Sequence, residues 1–100
     1  MRLQLLSLAV KDLNRGKWFY EKQSVGLGEY FYDSLFSDID SLLLYAGIHK
    51  KVMTYHCMLS KRFPYTIYCK VADDVIKVYR ILDCRQDPRK LEHFLKRGRG

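Results

Sequence analysis

Phe63-Pro64-Tyr65-Thr66-Ile67-Tyr68-Cys69-Lys70-Val71, then Ala72-Asp73-Asp74, then Val75-Ile76-Lys77-Val78-Tyr79-Arg80-Ile81-Leu82 reads as two strands joined by a tight turn. Both runs are rich in β-branched and aromatic residues, and the paired aspartates between them leave room only for a hairpin. Pro64 stands at the start of its strand, where a missing N–H does least harm. Upstream, residues 52–60 (VMTYHCMLS) repeat the period-two pattern and predict a further strand.

Toward the N-terminus the period changes. Residues 3–8 predict a short strand, and from about Ala9 the residues Ala9, Leu13, Gly16 and Tyr20 recur at helical spacing. Gly16 is costly inside a helix relative to alanine, and close packing of a second helix would account for it. Gly26-Leu27-Gly28 reads as a break. A second helix follows, with Phe31, Leu35, Ile39, Leu42 and Ala46 on one stripe, widened by Phe36 and Leu43. Asp33, Asp38 and Asp40 fall on its other faces, and Gly47 is a stop signal. Residues 88–96 predict a short terminal helix. The order β-α-α-β-β-β(-α) defines one α+β domain over residues 1–100: a helical hairpin packed on a small antiparallel sheet.

The net charge of +7 is unevenly spread. Residues 1–47 carry five Lys/Arg against six Asp/Glu, whereas residues 48–100 carry thirteen against five. A one-sided basic field suits an acidic protein, a nucleic acid or an anionic surface. Cys57, Cys69 and Cys84 are odd in number and form no CxxC pair, which fits neither a disulfide framework nor a zinc site and suits a reducing cytoplasm. The apolar start, Leu3 to Val10, is interrupted by Gln4 and Ser7 and followed by Lys11-Asp12, which favours a strand over a signal peptide. No stretch reaches the roughly 20 apolar residues of a membrane helix.

His56 and Cys57 are neighbours in a strand and point to opposite faces, so they do not share a metal. No phosphate-binding glycine loop, GxSxG or HExxH occurs, and no metal or cofactor is expected. Lys61, Arg62, Arg80, Arg85, Arg89 and Lys90 lie on or beside the last strands, interleaved with Tyr65, Tyr68 and Tyr79. Cations among aromatics serve RNA, through phosphate pairing and base stacking, and equally serve an acidic peptide. Trp18 and Phe19 are apolar anchors for a partner; ordinary core packing of at least one of them is the alternative.

The chain resembles the RelE/ParE toxins of bacterial type II toxin–antitoxin modules. The resemblance rests on Asp12-Leu13 and Trp18-Phe19-Tyr20-Glu21, on Gly26-Leu27-Gly28 with Phe31, on Lys61-Arg62-Phe63-Pro64-Tyr65 with Ile67-Tyr68, and on Arg85 with Asp87-Pro88. It implies a cytoplasmic growth inhibitor of the plasmid-stabilisation type, wrapped by a cognate antitoxin in a hetero-oligomer, with a homo-oligomer as the alternative. Partner contacts are expected at Trp18, Phe19, Lys61, Arg62, Tyr65, Tyr68, Arg80, Arg85 and Arg89.

The family divides by mechanism. Ribosome-dependent members cleave mRNA without metal, using clustered cations and a proton-transfer group; ParE-type members bind DNA gyrase. Here His56-Cys57 stand where many members carry two arginines, Asp83 replaces a common histidine, and Leu91 replaces an aromatic. A nuclease would have to draw on Lys61, Arg62, Arg80, Arg85, Tyr65 and His93. These departures favour the gyrase-binding branch, with a RelE-like endoribonuclease and an inactive homologue that only binds antitoxin as alternatives.

Overall fold

A computed structural model describes residues 2–45, 51–52 and 55–85. The elements are β1 (Arg2–Leu5), α1 (Ser7–Glu21), α2 (Leu27–Tyr45), β2 (Lys51–Val52), β3 (Tyr55–Leu59), β4 (Tyr65–Ala72) and β5 (Val75–Asp83). The stop at Gly47, the terminal helix at 88–96 and the residues Ala46, Asp87, Pro88, Arg89, Lys90, Leu91 and His93 lie outside the described residues.

The helical stripes fold as the spacing dictates. From α1, Ala9, Leu13 and Tyr20 enter the core, and from α2, Phe31, Leu35, Ile39 and Leu42 do so. Phe36 packs against this core, whereas Leu43 is exposed at the rim. Gly28 does not break the chain: it lies in the first turn of α2. The turn is made instead by Gly26, whose φ of 88° is one L side chains rarely adopt. The Glu21 carboxylate accepts hydrogen bonds from the Gly26 and Gly28 amides at 3.0–3.2 Å. An anion there satisfies donors that the start of α2 would otherwise leave open.

Strand order is β1-β5-β4-β3-β2. β4 and β5 form the expected hairpin, Ala72 facing Val75, with positive φ at Asp73 and Asp74. Two such residues in succession give the primed turn that matches strand twist. Two expectations need correction. The sheet is mixed, because β1 runs parallel to β5 with Leu3 opposite Ile76. A short turn forces antiparallel pairing, but a long helical connection leaves direction free. Residues 52–60 are also not one strand: Lys51–Val52 doubles back antiparallel on Tyr55–Leu59. Alternation continues across that reversal, so periodicity cannot mark it.

A register shift at Tyr68/Cys69 puts Tyr68 opposite Arg80 and Cys69 opposite Val78, leaving Tyr79 as the extra residue of a bulge. The alternation is thereby reset: Ile76 and Val78 before it and Ile81 after it all enter the helix-facing core. Tyr55, Tyr68 and Leu82 form a second buried cluster, with Cys57 and Tyr79 against it. Among the described residues, no helix is long and apolar enough to cross a membrane.

Candidate functional site

The residue positions of the bulge are held by α1. Asp12 is buried and accepts from Arg80 twice, Nε at 2.8 Å and Nη2 at 2.9 Å, and from the Ile81 amide at 2.9 Å. Helical spacing sets Arg15 and Phe19 one and two turns further along the same side of α1. They meet Tyr65, at the start of β4, and Asp83, at the end of β5, around a cleft of about 240 Å³. Asp12, Gly16 and Ile81 adjoin its inner end.

Tyr65 lies in an aromatic cluster of mostly edge-to-face contacts. Its ring is 4.9 Å from Phe31 and 6.3 Å from Tyr20, while Phe63 sits 5.0 Å from Phe31 and 4.8 Å from Tyr20. Burial pushes the Tyr65 hydroxyl from 10.0 up to about 12. Tyr20 is also raised, chiefly by burial, although the positive charge of Arg85 acts in the opposite direction. Both phenols are therefore donors at neutral pH rather than bases.

Asp83 and Arg85 close the cleft on each other. The Asp83 carboxylate accepts from the Arg85 amide and Nε at 2.9 Å and from Nη2 at 2.6 Å. These bonds hold its pKa below the usual carboxylate range despite partial burial, and they raise that of Arg85. Asp83 is thus ionised near neutrality, and it occupies the Nε/Nη2 edge of the Arg85 guanidinium.

The sequence-predicted residues separate into groups. Tyr65 and Phe19 come together here, and Arg85 is joined to the cleft through Asp83. Arg80 is corrected: at 4 % exposure and in a bidentate pair with Asp12, it is a structural cation rather than a partner-facing one. Tyr68 is buried in the second cluster, away from this cleft. Lys61 and Arg62 are exposed on the turn before β4. That turn is tied to α2 by Asp38, which accepts from Ser60 Oγ at 2.7 Å and the Lys61 amide at 3.2 Å. Core packing fails for both surface aromatics, Trp18 being 62 % and Phe19 49 % exposed. Cys84 is exposed too, unlike buried Cys69. Arg89 and His93 lie outside the described residues.

Arg15, Tyr20 and Asp12 were not anticipated as neighbours of the site. The signal was available for two of them: Asp12, Arg15 and Phe19 stand at helical spacing on α1, with a charge at each of the first two positions.

The raised Tyr65 pKa has a measurable consequence. The unfolded phenol ionises near 10 and the folded one near 12, so the folded state holds its proton longer. The stabilisation is complete below pH 10 and is lost as pH rises toward 12. Urea midpoints from pH 8 to 12 are expected to fall less steeply above pH 10 for Tyr65→Phe than for the unaltered chain. Parallel curves would contradict the burial of this hydroxyl.

No family model and no curated protein sequence matches the chain. Among solved structures it is similar to a chain described as "Chromosomal ParDE TA system from P. aeruginosa". The TM-score is 0.67 at 18 % identity, over 81 % of this chain and 92 % of that one. The fold is therefore ParE-like, in agreement with the α+β class and with the resemblance carried by the motifs.

Proposed function

We propose that this chain is the toxin of a type II toxin–antitoxin module, a cytoplasmic growth inhibitor that binds DNA gyrase and is neutralised by a cognate antitoxin. The observation that carries the reading is the charge state of the cleft. Asp83 occupies Arg85, Asp12 occupies Arg80, and the phenols of Tyr20 and Tyr65 are held protonated. A metal-free nuclease needs converging cations and a group that exchanges protons near neutral pH. A protein-binding surface needs neither. It needs exposed aromatic anchors with cations at the rim, and Trp18, Phe19 and Tyr30, with Lys61 and Arg62, fit that description. The ParE-like fold supports the same branch.

The test is expression in bacteria with primer extension on an abundant mRNA, alongside a supercoiling assay on the purified protein. The expected result is inhibited supercoiling with mRNA left intact, reversed by the antitoxin. Cleavage at codon boundaries with normal supercoiling would transfer the chain to the endoribonuclease reading. Normal growth with neither effect would leave an antitoxin ligand without toxicity.

A further inference from the structure

Arg15, which lines the cleft, and Arg85, which pairs with the cleft residue Asp83, differ in availability. Arg85 has Nε and Nη2 committed to Asp83. Arg15 is exposed, lines the cleft and makes no ion pair among the described residues. Tyr65 presents a phenol to the same space, and Phe19 supplies a half-exposed apolar wall. Asp83, an ionised carboxylate, completes the lining.

One available cation beside one fixed anion suits a ligand with a single isolated negative charge and an apolar body. It does not suit a phosphodiester strand, whose next charge would meet Asp83. We propose that the cleft receives a carboxylate side chain from an acidic segment of a protein partner, with Arg15 as its cation and Asp83 as the group that turns nucleic acid away. Arg15 takes the carboxylate, the chain carrying it lies on Phe19, and Lys61 and Arg62 at the turn before Tyr65 add to the attraction. Asp83 acts twice, by like-charge repulsion and by taking the Nε/Nη2 edge of Arg85 that would otherwise be open to phosphate. The proposal deepens the protein-binding reading given above and depends on it for the identity of the partner class.

The experiment compares two labelled probes by fluorescence anisotropy on the full chain. One is a peptide of alternating Glu, Leu and Phe; the other is an oligouridylate of equal net charge. The unaltered protein is expected to bind the peptide more tightly than the RNA. Arg15→Gln, at an exposed position, is expected to weaken peptide binding about tenfold, which corresponds to about 1.4 kcal/mol. Asp83→Asn is expected to strengthen RNA binding severalfold and to leave peptide binding at least as tight. Preference for RNA by the unaltered chain, absence of peptide binding, or indifference to Arg15→Gln would each overturn the proposal, as would unchanged RNA binding in Asp83→Asn. Gyrase supercoiling in the presence of the same preparations separates the two levels. Peptide selectivity without gyrase inhibition retains the carboxylate site and rejects gyrase as the target.

Discussion

Asp12→Ala is expected to lower the stability of the folded chain by about 3–5 kcal/mol, the range for removing one partner from a buried ion pair. The carboxylate is 4 % exposed and the guanidinium 5 %, so water cannot replace what is lost. The substitution removes both bonds to Arg80 and the bond to the Ile81 amide, which lies beside the β5 bulge. A domain this size has only about 5–15 kcal/mol in total, so a large share is at stake. Urea unfolding measures it. Adding Arg80→Met to Asp12→Ala is expected to recover much of the loss, since the desolvated charge goes with it, and a double-mutant cycle isolates the pairwise part. A loss below about 1 kcal/mol for Asp12→Ala would mean that the pair is not sustaining the bulge.

The same pair marks where the sequence could and could not be read. The hairpin at Asp73-Asp74 and the stripes Ala9–Leu13–Gly16–Tyr20 and Phe31–Leu35–Ile39–Leu42 follow from local periodicity and turn chemistry, and they fold as those rules require. Arg80 does not. Its charge argues for solvent, whereas strict alternation puts it on the face of Ile76 and Val78; the distant Asp12 is what lets a cation be buried there, and no local pattern announces that partner. The parallel pairing of β1 is hidden for a related reason, since nothing local to Arg2–Leu5 specifies its neighbour. The cleft was half legible. Tyr65, Phe19 and Arg85 carry recognisable signals, but the neutralisation of Arg85 by Asp83 is a matter of side-chain geometry that spacing alone leaves open.

That geometry changes what the basic composition means. A charge of +7 suits an acidic protein, a nucleic acid or an anionic surface alike. Arg80 and Arg85 are both spent within the molecule, one to fix a bulge and the other to satisfy Asp83. Among the described residues, Arg15, Lys61 and Arg62 are exposed cations near the cleft that have no acidic partner, on α1 and on the turn before β4. Spread in this way, they serve steering and specificity toward an acidic protein better than chemistry on a phosphate.

Gly16→Val is the second large effect, with an expected loss of about 3 kcal/mol, at the upper end for overpacking a core. A Cβ at Gly16 would stand 2.5 Å from Phe31 Cζ and 2.6 Å from Cε2, closer than such atoms can approach. Something must shift at such a distance, and this ring has no free space to shift into. Phe31 has no exposed surface and is packed among Tyr20, Phe63 and Tyr65, with centroids 4.9–5.1 Å away. Gly16→Ala carries the same contact with fewer added atoms, and its better helix propensity, about 1 kcal/mol, offsets part of the cost. The alanine variant is thus expected to fall between the unaltered chain and the valine variant in urea midpoint. Shortening the ring relieves the clash, so Phe31→Leu should cost less in the Gly16→Ala background than alone. Because Phe31 supports Tyr65, the displaced ring also opens the cleft. The alkaline titration of Tyr65 is expected to move from about 12 back toward 10 in Gly16→Ala. A Gly16→Val variant as stable as the unaltered chain would mean that α1 and α2 can separate without cost, and the aromatic cluster would then not be what holds the site in place.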